Sequence, residues 1–119
     1  MLSFASAFAQ LASDLTSELR VTGRVDLARE LEGCRVRDVS FDPQANAGLV
    51  TLEPLRELNI VERNVVGQRL SQVIPFSRAP YASLQLDNFG RIIGVEVSAP
   101  PPTLGALMSV ISGNRRTGP

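Results

Sequence analysis

The chain contains no histidine, no lysine and no tryptophan, and these gaps bound its chemistry more tightly than any motif it carries. Without histidine it lacks the commonest general base, the usual pH switch and the commonest metal ligand. With lysine also missing, neither a Ser-His-Asp triad nor a Ser-Lys pair can be assembled, so composition excludes both forms of serine catalysis. The single cysteine, Cys34, has no partner for an internal disulfide, which suits a reducing cytoplasm. It follows the predicted end of a helix, where the dipole disfavours a thiolate, and is expected to be a buried, inert thiol. No apolar run approaches the ~20 residues that span a bilayer. The apolar N-terminus Met1 to Gln10 lacks the basic start of a signal peptide and reads as helix.

What is present suits one folded domain. A chain of 119 residues is long enough to bury roughly two-thirds of its unfolded surface without a metal or disulfide. Twelve arginines offset twelve acidic residues, so no net field draws the molecule to nucleic acid or to an anionic membrane. An all-arginine complement is also what a high-GC genome would encode.

Phe4, Phe8, Leu11, Leu15 and Leu19 recur at spacings of three and four, predicting an amphipathic helix over Ser3 to Arg20. Thr22-Gly23 interrupts it, and a second helix carries Val25, Leu27, Ala28 and Leu31, with Gly33 as its expected C-terminal cap. This helical hairpin invites comparison with a DNA reader. Its second helix, however, sets Arg24 and Arg29 against Asp26, Glu30 and Glu32, a poor balance for a phosphate-lined groove.

After Gly33 the period changes to two. Val39 and Phe41 alternate with Asp38 and Ser40, Asp42 to Asn46 form a turn, and Leu49 to Leu52 return. Too few oxygen ligands stand in that turn for a calcium loop. Between Leu58 and Phe76, the pairs Ile60-Val61, Val65-Val66 and Val73-Ile74 predict two short strands, followed by a loop between Pro75 and Pro80. The stretch Leu84 to Val97 spells out a β-hairpin, with Ile93, Val95 and Val97 expected on one face and Ile92 and Glu96 on the other. Pro100-Pro101-Pro102 is a stiff connector. Beyond it, Thr103 is expected to cap a helix with Leu104, Leu107, Met108 and Ile111 on one face and Gly113 at its end. A helix of about ten residues is marginal alone in water, so its stripe must be buried by its own sheet or by another chain.

Two motifs resemble domain-of-unknown-function family 2283, a family of short bacterial proteins. They are the strand-ending Phe41-Asp42-Pro43 turn and the late Gly90-Arg91-Ile92-Ile93-Gly94-Val95-Glu96 run. The resemblance covers roughly Val36 to Val97; Phe41 replaces the family's usual tyrosine, Asn46 stands where an acidic residue is expected, and the link between hairpins is longer. It implies no activity and no catalytic residue. Some members look as if they are encoded beside small toxin-like proteins, which makes an antitoxin-like role one reading.

The residues together predict an α+β fold: an antiparallel sheet built from hairpins, covered by an N-terminal helical hairpin, with a short C-terminal helix docked at an edge or swapped onto a neighbour. A single domain is expected over 1–113, comprising the hairpin at 1–33, a β-rich part at 34–99 and a helix at 103–112, with a flexible tail at 114–119. The leading expectation is a non-catalytic cytoplasmic interaction protein that binds itself or a protein partner, with nucleic acid and membrane as unfavoured partners. Its candidate surface comprises Phe4, Phe8, Leu11, Leu15, Leu104, Leu107, Met108 and Ile111. The alternative is a ligand-binding protein or carboxylate-based enzyme using Asp42, Asp87 or Glu96, each of which also has a simpler role in a turn or a cross-strand pair. Gly90 and Gly94 are expected to serve a turn and a close backbone approach. No phosphate-cradling loop, cofactor site or metal site is predicted.

Overall fold

The computed structural model describes residues 2–65 and 67–114 and has the expected α+β architecture. Helices α1 (Phe4–Ala7) and α2 (Ala9–Val21) replace the single predicted N-terminal helix. The backbone leaves helical geometry at Phe8. Its hydrogen bonds nevertheless continue, Phe8 N to Phe4 O at 2.9 Å and Ala12 N to Phe8 O at 2.8 Å, so the helix bends without ending. Gly23, at φ +85°, turns the chain into α3 (Val25–Gly33), a left-handed conformation that glycine adopts without a Cβ clash. Arg20 and Glu32 form an ion pair across this helical hairpin. Gly33 is not the left-handed cap its position suggested: it is the last helical residue, and Cys34 leaves in an extended conformation. Glycine suits the position because a Cβ there would stand 3.0 Å from Leu55 Cδ1.

Strands β1 (Arg35–Asp42), β2 (Ala47–Glu53), β3 (Leu70–Pro75), β4 (Ala82–Asp87) and β5 (Ile92–Ser98) form one antiparallel sheet in the order β1-β2-β5-β4-β3. Alternation places Val39 and Phe41 of β1, Val50 and Leu52 of β2, and Leu84 of β4 on the covered face. The opposite face carries a cross-strand row of Ser40, Leu49, Glu96 and Ser83. One expectation fails inside the hairpin. Leu84 pairs with Val95 but Leu86 pairs with Ile92, so a bulge inserts one residue in β5 and reverses the parity beyond it. The core residues are therefore Ile92, Val95 and Val97, all fully buried, while Ile93 is only half-buried.

The second correction lies between the hairpins. Ile60 and Val61 open a helix, α4 (Ile60–Val65), where a strand was expected; Val66 lies outside the described residues. A reciprocal cap explains the helix: Asn59 Oδ1 accepts from Glu62 N at 2.8 Å, and Glu62 Oε1 accepts from Asn59 N at 3.1 Å. These bonds satisfy two amides and outweigh the β preference of the two branched residues. Val73 and Ile74 do lie in a strand, β3.

The last helix, α5, runs Pro102–Asn114, longer at both ends than the predicted 103–112. Pro102 occupies its first position, where a missing N–H costs nothing, so Thr103 is not the cap. Gly113 lies within the helix, and the rest of the predicted tail is outside the described residues. The helix packs on edge strand β1, with Met108 fully buried. Gly48 makes that seat: a Cβ on it would lie 2.9 Å from both Met108 Cε and Phe41 Cδ1 and would also collide with the Ser40 carbonyl oxygen.

Candidate functional site

Two places concentrate polar chemistry or concavity. The first is at the β4–β5 turn. Asp87 is almost completely buried, and its carboxylate accepts four hydrogen bonds. Phe89 N and Arg91 N reach Oδ1, both at 2.9 Å. Arg91 Nε and the Gln68 amide reach Oδ2 at 2.9 and 3.2 Å. Burial pushes this carboxyl up, but the donors from Arg91, Phe89 and Gln68 together outweigh it and leave the pKa below the ordinary carboxylate value. Arg91 Nη1 also donates to Arg56 O at 2.9 Å, and Glu30 Oε2 accepts from Ile92 N at 2.8 Å. The cluster thus ties α3, the segment before α4 and the hairpin together. With its four acceptor positions taken by protein donors, the Asp87 carboxylate has none left for a substrate proton.

The other two carboxylates singled out in the sequence stand elsewhere. Asp42 accepts from Gln44 N at 3.0 Å in the β1–β2 turn. That turn is at the Val97 end of β5, whereas Asp87 is at its Ile92 end. Glu96 lies on the opposite face and accepts from Gln85 Nε2 of the neighbouring strand at 3.2 Å. The three do not converge. Among the described residues no group of three acidic or cysteine side chains is arranged to hold a metal ion. Cys34 is fully buried, and burial, helped by the charge of Glu30, pushes its thiol up to about 12.

The second place is the junction between α2 and the start of α5. A recess of about 320 Å³ opens there, floored by Phe8, Leu11, Leu104 and Leu107 and rimmed by Asp14 and Tyr81. Gln10 Nε2 donates to Asp14 Oδ1 at 3.0 Å, one helical turn away. Partial burial and then the negative charge of Asp14 raise the Tyr81 phenol above its ordinary pKa, which keeps it a neutral donor at physiological pH. A second recess of about 500 Å³ lies elsewhere, between Leu2 and Ala7 at α1, Val36 and Arg37 of β1, and Ile111 near the far end of α5. Leu104, Leu107 and Ile111 are on successive turns of α5; the first two help to form a valley between α2 and α5, while Ile111 lines the second recess, which shares no residue with the first.

This valley gathers part of the predicted interaction surface and dissolves the rest. Phe4, Phe8, Leu11, Leu15 and Met108 are buried in the protein's own core, so the sheet and helices account for most of the apolar stripe. Leu104 and Ile111 are half-buried against that core. Leu107 is 38% exposed, and Val110 of α5 and Leu2 of the second recess are more so. Sequence reasoning missed Asp14 and Tyr81 as valley residues. Only tertiary packing, which sets α2, the start of α5 and the residue before β4 side by side, brings them there.

No family model, curated protein or solved structure matches the chain. Within the fold, Phe41-Asp42-Pro43 forms the end of β1 and the first turn, and Gly90 to Glu96 forms the second turn and most of β5. Gly90 takes φ +76° in that turn. A Cβ on Gly94 would lie 3.1 Å from Val50 O and 3.2 Å from Gln85 Oε1, so this position is the close approach expected of it.

Proposed function

We propose that this is a non-catalytic interaction protein that receives an apolar segment of a protein partner in the valley between α2 and α5. The observation that carries this reading is the open concavity at the α2–α5 junction, where Leu104 and Leu107 face Phe8 and Leu11 across unfilled space. A tightly packed core leaves few such voids, and a concave apolar surface with a few polar groups on its rim is the usual form of a binding site. The absence of histidine and lysine and the fully occupied Asp87 carboxylate both favour binding over catalysis. A cytoplasmic setting suits the lone, buried thiol of Cys34. The antitoxin-like role implied by the family resemblance would be one instance of such binding.

The exposed apolar residues of α4, Ile60 and Val61, form the competing surface. They offer a shallower seat, built from a single stretch of chain, Leu58 to Arg63. Leu107→Glu and Ile60→Glu therefore make a matched pair: each places a carboxylate on an exposed apolar helix position. Partners captured from the source organism by the unaltered protein are to be identified, purified and titrated against all three proteins. The expected result is a direct complex weakened at least tenfold by Leu107→Glu and unchanged by Ile60→Glu. Equal weakening by both, or loss only with Ile60→Glu, would reject the valley.

A further inference from the structure

Ala99 goes against two backbone preferences at once. It takes φ +51°, a left-handed conformation that is costly for a residue with a Cβ. It also immediately precedes Pro100, whose ring pushes the residue before it towards extended geometry. Ala99 is exposed, so burial of its methyl group does not account for the conformation. The residue stands where the chain folds back on itself. Upstream, Ser98 ends β5 in register with Ala47; downstream, after Pro100 and Pro101, α5 returns to pack on edge strand β1. Rotation about the N–Cα bond of Ala99 leaves its N–H in place, and with it the bond to Asn46 O at 2.8 Å. The sheet is therefore indifferent to this angle, and relaxing it to the extended range moves only the proline connector and α5.

Once moved, α5 has no reason to stay in water. Pro102–Asn114 contains no charged residue, and Met108, fully buried in the seat, would be exposed. The seat that fits this helix, Phe41 and Gly48 against the Met108 methyl group, is present on every copy of the chain. From the strained hinge and this seat we infer that α5 exchanges between two copies, each chain laying its last helix on β1 of the other in a reciprocal, two-fold dimer. The helix keeps the same contacts in either form. Relief at two Ala99 hinges favours the dimer and the entropy lost on association favours the monomer, so exchange depends on concentration. In the exchanged form each valley is built from two chains, with Phe8 and Leu11 from one and Leu104 and Leu107 from the other. Exchange does not depend on what the valley receives.

Ala99→Gly and Ala99→Val test the hinge from opposite sides. Glycine adopts positive φ freely and favours the closed monomer; valine, being β-branched, resists it and favours exchange. Each protein is to be unfolded and refolded at millimolar concentration, so that exchange reaches equilibrium, and then sized by sedimentation over a dilution series. The unaltered protein is also refolded as a mixture of isotope-labelled and unlabelled copies. It should contain a dimer, and filtered nuclear Overhauser spectra should connect the Met108 methyl group of a labelled chain to the Phe41 ring of an unlabelled one. Ala99→Gly should weaken the dimer on the order of fivefold per hinge, and so about 25-fold in its dissociation constant. Ala99→Val should strengthen it. The inference is overturned if the unaltered protein is monomeric at every concentration, if its dimer shows contacts between Met108 and Phe41 only within one chain, or if either substitution fails to move the dissociation constant in its own direction.

Discussion

Replacing Asp87 by asparagine tests whether the buried cluster at the β4–β5 turn is structural. The substitution keeps size and shape. If the new Oδ1 continues to accept from Phe89 N and Arg91 N, the new amide group must face Arg91 Nε and the Gln68 amide, both of which are donors. Two hydrogen bonds to a charged acceptor are lost, and the Arg91 side chain, 10% exposed, is left with a full charge and only the Arg56 carbonyl as partner. Removing one partner of a buried pair typically costs 3–5 kcal/mol; the surviving carbonyl contact and backbone bonds place the expectation near the lower bound, about 3 kcal/mol. For a domain of this size that corresponds to a fall in Tm of roughly 12 °C. Urea unfolding of Asp87→Asn, Arg91→Met and the double variant forms the decisive cycle. The double variant removes the unpaired charge and the Arg91 half of the donor conflict, so it should be at least about 1 kcal/mol more stable than additivity predicts. The acid limb gives a second reading. Because the folded pKa of Asp87 lies below its ordinary value of 3.8, its contribution is complete above that pH and is lost as pH falls through the folded value. Asp87→Asn should flatten that loss. A cost below about 1 kcal/mol for Asp87→Asn, or strict additivity in the cycle, would refute the assignment.

Three further outcomes follow from other parts of the fold. Gly48→Ala should destabilise by at least about 2 kcal/mol in urea unfolding, because overpacking here involves backbone; Met108→Ala in the same chain should not rescue it, since the clash with the Ser40 carbonyl remains. Glu18 accepts from Ser77 N at 2.7 Å and Arg78 N at 2.8 Å, and these amide bonds, Arg78 first, hold its carboxyl below the usual 4.5. Glu18→Gln should therefore speed hydrogen exchange at Ser77 and Arg78 at neutral pH and make less difference in acid, where the native carboxylate is protonated. Cys34, with its thiol raised to about 12, should resist a thiol-specific reagent in the folded protein and react at once in denaturant; rapid labelling of the native state would show that the thiol is not buried.

The hairpins were legible because strand alternation and turn chemistry agree. Asp42 caps its turn through Gln44 N, Asn46 takes φ +51°, and Gly90 takes φ +76°, each as its residue type suggests. The helical hairpin was legible for the same reason, its apolar period being broken by a glycine that turns left-handed. Two readings failed where a local signal competed with a stronger one. At Ile60-Val61, β-branched composition pointed to a strand while Asn59 and Glu62, three residues apart, carried the signature of a helix cap. In β5, simple alternation assigned Ile93 to the core because a bulge leaves no mark in a run of branched residues. The apolar stripe of α1 and α2 was read as part of an interaction surface, and the protein's own core buries it. Whether its own sheet or another chain covers it is a question of tertiary volume, to which periodicity is blind.

The valley persists because the helices on its two sides are anchored independently. Leu15 and Leu19 hold α2 in the core, whereas α5 is seated by Met108 against Phe41 and Gly48 at edge strand β1. The approach to α5 is stiff. Ala99 takes φ +51° and donates to Asn46 O at 2.8 Å, and three prolines then hold the chain extended up to the first turn of the helix. Gly105 sits over Pro100 and Phe41, where even a Cβ would make only ordinary contact, at 3.5 and 3.7 Å, so the seat does not depend on glycine at that position. With one end fixed by this connector and the middle by Met108, α5 cannot slide towards α2 to close the gap without breaking both contacts. The residues that set the width of the valley are thus different from those that line it. Changes at Ala99 or Gly48 should alter binding through geometry, whereas changes at Leu104 or Leu107 should alter it through contact. That separation lets the docking surface vary in chemistry while the scaffold that holds it open stays the same.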